Sequence, residues 1–417
     1  MTRHILLSLF LLLGLVACEE GPAPQTTSSP EPIPQAQSPS LEPALANAIR
    51  ELMASYLNRI DIALADTSND FQQFETQVNA FLQQPTDAEF TALREAWLQL
   101  HSSYESTLLH RYFASEALDE QQTLNFFEVQ YRLDHWPILP GYIDYVGDYP
   151  YSGIVNDMTV PLEANVLRDQ HGEFDIHEAS IGFHVLEFML WGENAEAEEG
   201  AGLRPYTDYL PATTLTSEQA ADGLLLHQLS PNRRRELLAL NTRLLEEDFQ
   251  SLVNIWSSNS IAYLADIDSA SAEALLLDLL NAITALLSEE LLVRSLYPML
   301  NGEFAEGLPS LYSRSSPATV SAQLSGLENL LQEISSDSGT NFDTVLSALS
   351  EDFEEFFYQN FDASKECLVV LYATDQISQS AQGSADTEFK VVECINFLTN
   401  MIDYVEQIKG ALLAGNP

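Results

Sequence analysis

Gly182-Phe183-His184-Val185-Leu186-Glu187 places an imidazole and a carboxylate three residues apart, in a run that is otherwise apolar from Ile176 to Trp191. On a helix, that spacing points both groups to one face, where they can converge on one cation or bond to each other. Ser180 and His177 extend the same line at four and seven residues before His184. Burying such a pair costs several kcal/mol unless hydrogen bonds, opposite charge or a metal satisfy it. The spacing predicts a helix capped by Asp175 and Glu178 and ended by Gly192. A divalent ion held by His184 and Glu187 is one reading of the stripe; a core histidine bonded to a glutamate is the other.

Hydrolytic zinc normally takes three protein ligands and a water. His-Glu-x-x-His is absent, and Phe188 stands where the inverted motif needs a second histidine. A third ligand must come from elsewhere, with Glu105, Asp144 and His177 as candidates; in a peptidase, Glu187 would be the base. The sequence has no Gly-x-Ser-x-Gly elbow, no P-loop and no dinucleotide fingerprint.

The elements that must hold these groups read as helices. Apolar residues recur at three and four in Leu41–Asp66, Phe71–Gln83, Ala88–Leu118 and Gln121–Leu133, with Thr86 and Glu89 as a capping box. The same period returns in Pro231–Trp256, Ala272–Tyr297, Thr319–Ile334, Phe342–Thr374 and Thr387–Leu413. No segment alternates as a strand does, so the fold class is all-α. Helical patterning lapses near Leu210–Thr216, which suggests a helical domain over 44–212 and a second bundle over 213–417. Trp97, Trp136 and Trp191 read as packing residues, and Arg204 and Asp208 as an ion pair. Cys367 and Cys394, 27 positions apart on consecutive helices, read as a disulfide.

Residues 1–17 read as a signal peptide: Arg3, then an apolar Ile5–Leu13, then Leu15-Val16-Ala17 before Cys18. Cys18 is the expected lipidation site, and without an aspartate next to it the periplasmic face of the outer membrane is favoured. Residues 18–43 carry seven prolines, the composition of an extended tether. Loss of Arg3 leaves 16 basic against 62 acidic residues, a formal charge of −46. That excludes a nucleic-acid partner, whose phosphates need a basic face, and disfavours direct contact with anionic lipid headgroups.

The residues resemble a family. Gly-x-His-x-x-Glu with Phe188-Met189-Leu190-Trp191-Gly192 is similar to the signature of the imelysin-like proteins. Trp97–Glu105, Asp134-His135-Trp136-Pro137 leading to Tyr142–Val146, and Arg204-Pro205-Tyr206-Thr207-Asp208-Tyr209 resemble three further family segments in the same order. The resemblance implies two four-helix-bundle-type domains packed side by side, with the His/Glu site at their junction. It also implies a cell-envelope protein linked to iron uptake, with iron or zinc as the ion and envelope iron-transport components as partners. The family is catalogued with metallopeptidases, which keeps a zinc peptidase as the alternative; a structural or partner-binding lipoprotein is the third. Family members tend to carry a glutamate after Thr107, where this chain has Leu108.

Overall fold

In the computed structural model, the described residues are 41–116, 118, 120–193, 203–332, 341–350, 352–375 and 384–414. The signal peptide, Cys18 and nearly all of the tether lie outside them. Fifteen α-helices are described: α1 Pro43–Gln83, α2 Asp87–Ser106, α3 Leu108–Glu116, α4 Glu120–Leu133, α5 Pro140–Ile143, α6 Ala164–Gln170, α7 Phe183–Trp191, α8 Ser217–Ala221, α9 Ser230–Asp266, α10 Ala272–Ala285, α11 Tyr297–Leu300, α12 Ser316–Gln332, α13 Phe342–Ser347, α14 Phe353–Asp375 and α15 Ala385–Ala414. A wide π-helical stretch, Leu286–Leu296, joins α10 to α11. No strand occurs among the described residues, and none of their helices is long and apolar enough to cross a membrane.

Four elements differ from the sequence reading. Leu41–Asp66 and Phe71–Gln83 fuse into α1, because its buried stripe runs unbroken through Leu64, Thr67, Phe71 and Phe74. Thr67 fits that stripe by bonding to the carbonyls of Ala63 and Ser103. The expected Ala88–Leu118 helix instead breaks at Thr107, whose hydroxyl donates to the Tyr104 carbonyl at 2.7 Å and competes with the helical bond. Third, the helix expected from Asp175 begins only at Phe183, and fourth, the stretch Phe342–Thr374 is divided into α13 and α14.

α1 packs along α2, α9 and α10, and α2 packs on α12, so helices from both sides of residue 212 meet in one apolar core. Thr86 caps α2 by accepting from the Glu89 amide. α14 and α15 form an antiparallel pair stapled by a disulfide between Cys367 and Cys394, with Cα atoms 5.5 Å apart.

Candidate metal centre

α7 is buried at all nine positions. Its entry explains the first residue of the Gly-x-His-x-x-Glu motif. Gly182 takes φ +109°, and a Cβ there would lie 2.7 Å from the Arg132 carbonyl oxygen and 2.9 Å from that of Leu133. Its amide donates to Asn241 Oδ1 at 3.1 Å. Glycine thus lets the start of α7 press against the end of α4, bringing His184 to Asp134, just past that end.

The positive φ also prevents the helix from starting earlier. Asp175 accepts from the amide and ring Nδ1 of His177 instead of capping α7, and Ser180 donates to the Leu167 carbonyl. His177 therefore stays on a loop, its side chain 46% exposed, and does not share a helical face with His184.

His184 is held at both ring nitrogens. Nδ1 lies 2.9 Å from Glu187 Oε2, and Nε2 lies 3.1 Å from Asp134 Oδ1. The other Glu187 oxygen accepts from the amide and hydroxyl of Ser313, at 2.8 and 2.7 Å. Glu187 therefore stands where a carboxylate orients a ligand imidazole from behind. On the far side is His101 of α2, stacked on Trp97 at 4.6 Å and edge-on to His184 at 5.4 Å. One ligand atom each from His101, Asp134 and His184 lies within 4.8 Å of the others, all three residues buried.

Around this group sits a buried set of charges. Glu105, one turn after His101, accepts from Gln323 at 2.8 Å; its other oxygen lies 3.7 Å from His101 Nε2 and 3.6 Å from Arg111 Nη2. Arg111, over the Tyr104 ring, and Arg294 both approach Asp134 Oδ2, at 4.0 and 3.6 Å. Burial opposes a charge on His184, but its bonds to Asp134 and Glu187 override burial and raise its pKa to about 9. Burial, reinforced by the charge of His184, drops His101 to about 3. Burial and the neighbouring Asp134 push Glu105 up to about 8. Burial alone would raise Asp134, yet the bond from His184 and the charges of Arg294 and Arg111 hold it well below the usual carboxylate range.

The donors suit a metal. His101 Nε2 and Glu105 Oε1 are buried without a hydrogen-bond partner in the protein, as are Nε and Nη2 of Arg111. Two imidazoles and a carboxylate are the usual ligands of zinc or ferrous iron. Donors ~2.1 Å from one ion stand at most about 4.2 Å apart, so a small inward shift of the 4.8 Å group would be enough.

Of the other sequence candidates, Glu105 joins this cluster. Asp144 does not reach it, because Arg234 binds it through Nε and Nη2 and Arg204 through Nη1 at 2.9 Å. That buried knot also holds Asp208, 3.2 Å from Arg204. Leu108 opens α3 and packs into the core. Sequence reasoning passed over His101 and Asp134 as ligands, although Trp97, His101 and Glu105 repeat at four on one helix.

The sequence profile of the imelysin peptidase family matches residues 60–403. The fold is similar to that of a Parabacteroides distasonis protein described as an iron-regulated protein A precursor (TM-score 0.61, 12% identity, covering 90% of this chain and 96% of that one). An imelysin-like protein from Psychrobacter arcticum 273-4 aligns with TM-score 0.49 and 16% identity over 86% of this chain and 93% of that one. No curated protein matches the sequence. With the profile spanning most of the sequence and the Gly-x-His-x-x-Glu helix inside it, the chain belongs to the imelysin family.

Proposed function

We propose that this protein is a lipid-anchored envelope protein that binds a metal ion, or a ligand carrying one, in iron-linked uptake. His101, Asp134 and His184 would hold the ion, with Glu105 beside them and Glu187 orienting His184. One observation carries this reading: two imidazoles and two carboxylates converge in a buried place where His101 Nε2 and Glu105 Oε1 have no hydrogen-bond partner. The structural neighbour is described as iron-regulated, which supports the link to iron but does not name the ion bound here. When bound, the ion would supply the positive charge now provided by the proton on His184. Peptidase chemistry fits less well: His184 and Ser313 engage both oxygens of Glu187, leaving the expected base turned away from any water on the ion.

Elemental analysis and calorimetric titration of purified protein with Fe2+ and Zn2+ test the assignment. About one ion per chain is expected, lost in His184→Ala and His101→Ala. Stoichiometric binding that survives both substitutions would place the ion on the acidic surface instead.

A further inference from the structure

The ligands of the proposed metal site are closed off. Asp134, the most open of the three, is 5% exposed, and Arg111 and Glu105 beside them are 3% and 1% exposed. Arg294 differs, with 31% of its side chain exposed. It leaves the π-helical stretch, a helix defect of a kind often found at functional sites. Its guanidinium lies over the Trp136 ring at 4.6 Å. From there Nη1 reaches both oxygens of Glu290 at 3.1 Å and Asp134 Oδ2 at 3.6 Å, while Nη2 donates to the Asp134 carbonyl.

We propose that Arg294 is a cationic gate over the metal site, which the incoming ion must displace. The inference rests on the metal-binding reading and adds how the site selects its ion. A fixed positive charge beside the ligand carboxylate repels every approaching cation. Only an ion of higher charge than the guanidinium gains by replacing it, so the site takes multivalent ions and refuses sodium and potassium. That selection matters on a chain whose full sequence has 62 acidic residues against 17 basic ones, a surface that gathers monovalent cations indiscriminately. The gate can open: about a third of the long side chain, 31%, is already exposed, so an outward swing of its head starts from the surface. Glu290 keeps Gln323 and Tyr112 as partners at 3.4 Å.

Stopped-flow mixing of Zn2+ with chelator-treated protein tests this, comparing wild type with Arg294→Gln and Arg294→Lys. Arg294→Gln is expected to bind Zn2+ ~10-fold faster and more tightly, and to lose discrimination against excess potassium. Arg294→Lys, which keeps the charge but loses the planar contact with Trp136, should fall between. Unchanged or slower binding in Arg294→Gln overturns the gate and leaves Arg294 as a brace for Asp134. If that variant does not fold, Trp136→Leu removes the platform and keeps the charges; it should speed association, and an unchanged rate overturns the proposal. A wild-type protein that binds no Zn2+ or Fe2+ at all overturns the metal reading itself, a distinct result.

Discussion

Replacing His184 by glutamine in chelator-treated protein should remove one defined part of the dependence of stability on pH. Asp134 and Glu187 raise His184 from 6.5 to about 9 in the folded chain. At about 1.4 kcal/mol for each tenfold gain in proton affinity, the protonated ring contributes roughly 3 kcal/mol. Because the folded pKa lies above the unfolded one, this contribution is whole below about pH 6.5 and drains away as pH rises through about 9. Glu105, raised to about 8, loses stability in the same direction between about pH 4.5 and 8. His184→Gln keeps Glu105 and the acidic surface, so subtracting the two profiles isolates the imidazole. Urea unfolding at intervals from about pH 6 to 10 is the assay. The wild-type advantage should shrink by roughly 3 kcal/mol across that range, mostly above about pH 7. Parallel profiles for the two proteins would refute the claim that His184 is charged in the metal-free fold.

Metal affinity should run the other way, since the ion must expel the His184 proton: binding measured against a competing chelator should weaken roughly tenfold for each pH step below about 9. Gly182→Ala forces a side chain into φ +109° and against two carbonyl oxygens, so it should cost at least about 2 kcal/mol in urea unfolding; a smaller loss would mean that α7 can back away from α4. Breaking the Cys367–Cys394 bond, which spans 27 positions, should cost about 3–4 kcal/mol from chain entropy, read as a lower melting temperature in Cys367→Ser/Cys394→Ser. Equal melting with the intact protein would show that α14 and α15 hold their pairing unaided.

The helical class was legible because long apolar stripes at three and four need no tertiary information, as in α1 and α9. Ends were less so. Asp175 and Glu178 have the residue types of a capping box, but Gly182 decides where α7 starts, and its conformation is set by the neighbouring end of α4. The break at Thr107 was hidden for a similar reason: apolar spacing continues through it, and the departure shows only in the bonds of the Thr107 hydroxyl and amide to the Tyr104 carbonyl. His184 and Glu187 stood out by polarity on an apolar helix. His101 and Asp134 lie 83 and 50 residues before His184, a separation that spacing on one helix cannot bridge. Asp144 was misplaced because its partners, Arg204 and Arg234, are likewise remote in sequence.

The interruption at Thr107 acts as a keyed joint. On an unbroken helix, Glu105 and Arg111 would be about 120° apart around the axis and could not share a target. Split at Thr107, α2 and α3 each aim one of them inward, and their charged ends come within 3.6 Å. Surface connections usually tolerate insertions, but adding a single residue here would rotate Arg111 by about 100° relative to Glu105. This joint should therefore be fixed in length even where its side chains vary, and a chain that changed its length would have to rebuild the charge cluster from other residues.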